Sequence, residues 1–209
     1  MLRVWGRISS INVRKVVWTL QELELAVQRT DAGGQFGLVR EADYLARNPN
    51  GLVPLLEDGE VLLWESNVIV RYLCARYAPG RLYPEGLAAR FDAERWMDWQ
   101  QTSLNPAGRG AFFQLIRTAP ELRDESVVAA SVASMEPLLD LLDRHLAGRA
   151  YLSGDSFSMA DIPVACDVHR WGALPFASSA VAGRPNLDRW FRGLAERAGA
   201  KGVLDAQLV

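Results

Sequence analysis

The 209-residue chain is 49% hydrophobic and 23% charged, a balance that excludes disorder and suffices for one domain or two smaller ones. Its formal net charge of −2 excludes the broad basic face expected for nucleic-acid or anionic-membrane binding, although it leaves room for a local patch; small-molecule and protein partners are favoured. The two cysteines, Cys74 and Cys166, lie far apart and outside any C-x-x-C spacing, which excludes a disulfide framework and a thiolate metal site and suits a reducing cytoplasm.

The first ten residues, MLRVWGRISS, contain no apolar signal-type core, and no stretch reaches the roughly 18 uncharged apolar residues of a membrane span, so a soluble chain is expected. LRVWG reads as a short strand, and NVRKVVWTLQELEL sets Val13, Val16, Val17, Leu20 and Leu23 at helical spacing. AVQRT reads as a second short strand, GGQFG as a loop whose glycines permit positive φ, and EADYLARNPNG as a brief helix stopped by Asn-Pro-Asn-Gly. Residues 53–57 and 60–63 are predicted to form a hairpin around Asp58-Gly59, a dipeptide that favours a type I′ turn. From Ser66, Val68, Ile69, Tyr72, Leu73 and Tyr77 share a helical face until Pro79-Gly80. The predicted order is βαβαββα.

APGRLYPEG then has the proline and glycine content of a linker, placed at residues 80–86. Residues 87–209 read as helical: one long helix disturbed at Asn105-Pro106, a second carrying Met135, Leu138, Leu139, Leu142 and Leu146 in register, and two more in SMADIPVACDVHRWGAL and NLDRWFRGLAER.

The stretch VPLLEDGEVLLWESN delivers a strand directly into a helix, leaving the first backbone N–H groups of that helix unpaired. With the Ser66 hydroxyl and the Glu65 carboxylate beside them, these groups suit a ligand bearing both carboxylate and ammonium, as an amino acid does; Ser66 or Glu65 acting only as a helix cap is the competing reading. Val53-Pro54 is open to a cis form that presents the Val53 backbone to an extended ligand, or a trans form that protects an edge strand. In RISSINVRKV, Ser9, Ser10 and Asn12 run into the first helix, where a hydroxyl or amide donor at a helix N-terminus would stabilise a thiolate, or would simply cap the helix.

Taken together, the element order, NPNGLVPLLEDG, LWESNVIVRYL, the proline-bearing linker and the helical second half resemble the cytosolic glutathione S-transferase family over essentially the whole chain. GRISSINVRKVVWTLQEL resembles its bacterial serine-type, theta-like or nu-like members. The resemblance implies a thioredoxin-like glutathione-binding domain at residues 1–79, an all-helical domain at 87–209, a cytoplasmic homodimer, and glutathione as co-substrate with no metal. It further implies catalytic roles for Ser10 and Asn12, and glutathione contacts from Ser9, Asn50, Val53, Pro54, Glu65 and Ser66. The activity implied is conjugation of glutathione to hydrophobic electrophiles. A glutathione-dependent disulfide-bond reductase or peroxidase, or a non-catalytic binding module, remains an alternative on the same fold.

No Tyr or Cys lies in the RISSIN loop, which argues against the tyrosine-dependent and mixed-disulfide chemistries of other classes; Gly51 stands where some classes have a glutathione-binding histidine. Trp96, Trp99, Phe112 and Phe113 are candidates for an apolar second-substrate pocket, with core packing as the competing reading. The Ser158-x-x-Asp161 spacing is that of a capping-box variant and is assigned to folding, and His145 and His169 are assigned structural roles.

Overall fold

The computed structural model describes residues 1–175 and 181–208; residues 176–180 and 209 of the expected second domain lie outside the described residues. Strands β1 (Leu2–Trp5), β2 (Val27–Thr30), β3 (Leu55–Asp58) and β4 (Val61–Trp64) form one sheet in the order β2-β1-β3-β4. β1 and β2 are parallel, while β3 runs antiparallel to both β1 and β4. Helices α1 (Ile11–Glu22), α2 (Ala42–Leu45) and α3 (Ser66–Tyr77) complete the expected βαβαββα half.

The hairpin differs in detail from its sequence prediction. Asp58 pairs with Val61, so the two-residue loop is Gly59-Glu60 and not Asp58-Gly59. Gly59 has φ +62° and Glu60 is not among the residues of positive φ, a pattern of the II′ kind, in which glycine takes the first central position. The strand also starts at Leu55, because Val53 and Pro54 leave the sheet and enter the cleft described below.

Helices α1 and α3 are buried on two sides. Val16 and Leu20 of α1 and Ile69 and Leu73 of α3 pack on Leu2, Val4 and Leu56 of the sheet. Trp18 of α1 and Val70 and Cys74 of α3 face the other way, into the large core of the helical half. Val68, expected on the buried face, is 43% exposed, since the sheet and the helical half take the neighbouring positions. The segment 80–86 is anchored: Leu82 is buried and its carbonyl accepts the Met159 N–H at 3.0 Å.

The second half is helical: α4 (Leu87–Trp99), α5 (Asn105–Phe112), α6 (Glu125–His145), α7 (Asp161–Gly172) and α8 (Pro185–Ala195). The long helix expected to falter at Asn105-Pro106 instead widens just before it. In the π turn Gln100–Leu104 the Asn105 N–H reaches back to the Gln100 carbonyl, and the chain passes Pro106, which has no N–H to place, without breaking. Gly108 and Gly110 then let α5 lie close to its neighbours. A Cβ at Gly108 would stand 2.7 Å from the Met135 side chain, and one at Gly110 2.7 Å from Ser131 Oγ. Ser131 Oγ in turn accepts the Ala111 N–H at 3.0 Å, which locks α5 to α6.

The Ser158–Asp161 element folds as its spacing predicts. Asp161, fully buried, accepts the N–H groups of Ser158 and Leu152 at 3.0 Å each and Trp190 Nε1–H at 2.9 Å, while Ser158 Oγ accepts the Ala160 N–H at 3.3 Å.

Candidate active site

Two helix N-termini converge at the junction of the halves. Ser10 occupies the N-cap of α1 with extended backbone, φ −82° and ψ 123°; its carbonyl accepts the Arg14 N–H, but its hydroxyl makes no capping bond. Glu65 precedes α3 with φ +70°, a conformation unusual for a non-glycine residue, and turns the chain abruptly from β4 into the helix. Ser66 is therefore the first residue of α3, buried to 3% exposure. Its hydroxyl donates to Asn12 Oδ1 at 3.3 Å. The capping reading thus fails in its simple form at both helix starts, since neither Ser10 nor Glu65, the two N-cap residues, makes a side-chain cap bond.

A buried polar chain supports this junction from below. Lys15 of α1, fully buried, donates to Ser66 Oγ at 3.5 Å and to Gln100 Oε1 at 3.0 Å. Asn67 donates to the same Gln100 oxygen at 3.0 Å and to the Met97 carbonyl at 2.8 Å. Gln100 donates onward to Asp167, which Arg170 holds at 2.6 Å. Burial lowers the Lys15 ammonium to about 8, with the Asp167 charge opposing that shift.

Above the junction opens a cleft of about 410 Å³. It gathers Ser9, Ser10, Asn12, Asn50, Val53, Pro54, Glu65, Ser66, Phe112 and Phe113, residues drawn from both halves. The Val53-Pro54 bond is cis, which decides between the two forms left open by the sequence. The segment is held by its neighbour: the Leu52 carbonyl accepts Tyr44 Oη–H at 2.7 Å and Asn48 Nδ2–H at 2.8 Å.

Trp96 is a correction. It does not line the cleft; it is 6% exposed in the helical core, edge-on to Trp99 at 5.2 Å and tilted against His145 at 4.4 Å. Phe112, the last residue of α5, and Phe113 directly after it do line the cleft. His145 Nε2–H donates to the Leu152 carbonyl at 2.7 Å, and His169 Nδ1 lies 3.3 Å from Arg14 Nη1.

Sequence reasoning expected Arg or Gln residues at the glycyl carboxylate of glutathione but identified none of them. Arg7, Arg14, Arg109, Arg117 and Arg170 all line the cleft, and among the described residues Glu65 supplies its one carboxylate. One signal was available: Arg109, Phe113 and Arg117 recur at intervals of four, which places them on one helical face. Cys74 and Cys166 are buried and both thiols are pushed up to about 12 by desolvation, so neither presents a thiolate.

The fold thus joins a thioredoxin-like half to an all-helical half, with a polar cleft where two helix N-termini meet. Residues 1–75 match the glutathione S-transferase N-terminal domain family and residues 125–193 the C-terminal domain family. The chain is 45% identical over 206 residues to glutathione S-transferase GstB of Escherichia coli (strain K12), covering 98% of both chains. It is 32% identical to glutathione S-transferase 3 of Zea mays, covering 94% of this chain and 90% of that one. Among solved structures, the theta class glutathione S-transferase from Xanthomonas axonopodis pv. citri with glutathione bound superposes with TM-score 0.93 at 40% identity, covering 100% and 99% of the two chains. The chain belongs to the glutathione S-transferase family, and its enzyme class is that of a glutathione transferase.

Proposed function

We propose that the cleft binds glutathione, holds its sulfur as a thiolate beside Ser10 and Asn12, and presents it to a hydrophobic electrophile lying against Phe112 and Phe113. The observation that carries this reading is the convergence of the α1 and α3 N-termini, with the Ser10 hydroxyl uncommitted to capping. The N–H groups at the start of α3, together with Ser66, suit the γ-glutamyl carboxylate, and Glu65 suits its ammonium. Val53, whose backbone polar groups pair with none of the described residues, suits the cysteinyl backbone of an extended peptide. Ser9, Pro54 and Asn50 complete the glutathione side.

In this reading the helix dipole and the Ser10 and Asn12 side chains lower the thiol pKa, each unit being worth about 1.4 kcal/mol of thiolate stabilisation. The sulfur then bonds to the electrophilic carbon, and the leaving group departs with its bonding pair. Residues 1–79 hold glutathione, 80–86 link, and 87–209 supply the second-substrate wall. The apolar side chains of Val68 on α3 and of Leu87 and Phe91 on α4, 43%, 67% and 62% exposed, support a homodimer in which these faces meet.

Calorimetry with glutathione and conjugation of an aromatic halide test the reading. Micromolar-to-millimolar binding with turnover is the expected result; absence of binding overturns it. Faster turnover of a small disulfide or a hydroperoxide than of any aromatic halide would assign the same thiolate to reduction instead of conjugation.

A further inference from the structure

The cleft holds more positive charge than glutathione can use. Of its five arginines, two are committed to the protein. Arg14 donates to the Ile8 carbonyl at 2.9 Å and the Gln207 carbonyl at 2.7 Å, and Arg170 pairs with Asp167 and donates to Asn105 Oδ1 at 2.9 Å. Arg7, Arg109 and Arg117 have no ion pair among the described residues. Arg7 and Arg117 lie close enough that the charge of Arg117, after burial, disfavours the charged form of Arg7. Two like charges facing one cleft, with no ion pair among the described residues, are relieved by a bound anion.

These three guanidiniums divide between the two walls. Arg7 shares the Gly33 neighbourhood with the Val53 side chain, on the wall assigned above to glutathione. Arg109 and Arg117 flank the two phenylalanines on the opposite wall: Arg109 lies 5.4 Å over the Phe113 ring and Arg117 5.6 Å over the Phe112 ring. A cation–π contact holds each guanidinium near a ring and leaves N–H groups to donate to an acceptor. Glutathione has two carboxylates. With the γ-glutamyl one at the α3 N-terminus, the glycyl one balances at most one of the three arginines.

Building on the proposed glutathione site, we propose that the second substrate is an aromatic electrophile bearing a carboxylate, with its ring against Phe112 and Phe113 and its carboxylate held by Arg109 and Arg117. For an aryl chloride the thiolate sulfur bonds to the ring carbon and chloride leaves with the bonding pair; the thiol proton has already passed to solvent. The site therefore selects on charge at a position remote from the reacting carbon.

The test compares 4-chloro-3-nitrobenzoate with 4-chloro-3-nitrobenzamide, each kcat/KM divided by its uncatalysed rate with glutathione. Wild type is expected to prefer the benzoate by about tenfold or more, the effect of roughly one charge-assisted contact. The double variant Arg109→Gln/Arg117→Gln should bring the ratio close to one, and Arg109→Lys/Arg117→Lys should recover part of it. A wild-type ratio near one, or a preference that survives the glutamine variant in a folded protein, overturns the proposal. Should neither chloride react, calorimetry with the two S-aryl glutathione products takes its place, and equal affinities overturn it. Glutathione binding, measured alone, reports separately on the underlying site: its loss would remove that site, whereas retained binding with no charge preference removes only the anionic second substrate.

Discussion

The Ser66 hydroxyl donates to Asn12 Oδ1 at 3.3 Å across 54 residues of sequence, tying the first turn of α3 to the first turn of α1. The group proposed to hold the glutamyl end of glutathione and a group proposed to sit by its sulfur are therefore direct neighbours.

Replacing Ser66 with Ala should weaken glutathione binding by about 1–3 kcal/mol, because a charge-assisted hydrogen bond to the ligand carboxylate is lost. Isothermal calorimetry reads this directly. Unchanged affinity would confine Ser66 to organising Asn12 and Lys15.

Single Ala variants at Ser10 or Asn12 should retain part of the activity, since the other donor and the helix N-terminus persist. The double variant Ser10→Ala/Asn12→Ala should raise the pKa of the bound thiol and move the pH–rate curve to higher pH, with little change in glutathione affinity below that pKa. Ultraviolet titration of the thiolate, beside thermal melts, is the measurement. A folded double variant that titrates like wild type would place the activating donor elsewhere.

His169, packed beside Arg14, is lowered to about 4, first by burial and then by the Arg14 charge. Below its ordinary value of 6.5 the unfolded chain takes up a proton that the folded chain resists, so stability is full above pH 6.5 and falls as pH drops toward 4. The loss attributable to this group is on the order of 3 kcal/mol. His169→Gln should flatten the decline in urea midpoint between pH 7 and pH 4.5; an equal decline in both proteins would assign it to other groups.

Asp161→Ala should destabilise the fold by about 3 kcal/mol or more, because the buried N–H groups of Leu152, Ser158 and Trp190 lose their acceptor. Asp161→Asn, which keeps one oxygen, should cost less. Thermal melts of the two variants give the order, and a melt of Asp161→Ala equal to wild type would contradict the role.

Sedimentation at micromolar concentration should find a dimer, and Val68→Asp/Phe91→Asp should shift it toward monomer by placing charge on two exposed apolar positions. A wild-type monomer would count against the assembly proposed for these faces.

The sequence alone determined the element order, the two textures of the chain and the capping role of Asp161, because each rests on local signals: period-2 and period-3.6 patterning, glycine and proline punctuation, and cap spacing. It also singled out Ser10, Asn12, Val53, Glu65 and Ser66, since strand-to-helix turns and an X-Pro step are visible within a few residues. Local pattern could not tell which side of a doubly buried helix faces what. Val68 was thus assigned to the core, though it is 43% exposed, and Trp96 to the cleft, though it packs on His145. Only the tertiary structure brought Lys15, Gln100 and Asp167 beneath Ser66, and set Arg7 opposite Arg117 in one cleft. Such groupings depend on a π turn before Pro106 and on two glycines that admit α6 against α5. The physical reason is that a side chain's direction at a distant crossing is the sum of many small rotations along the chain, whereas a cap or a turn is decided where it stands.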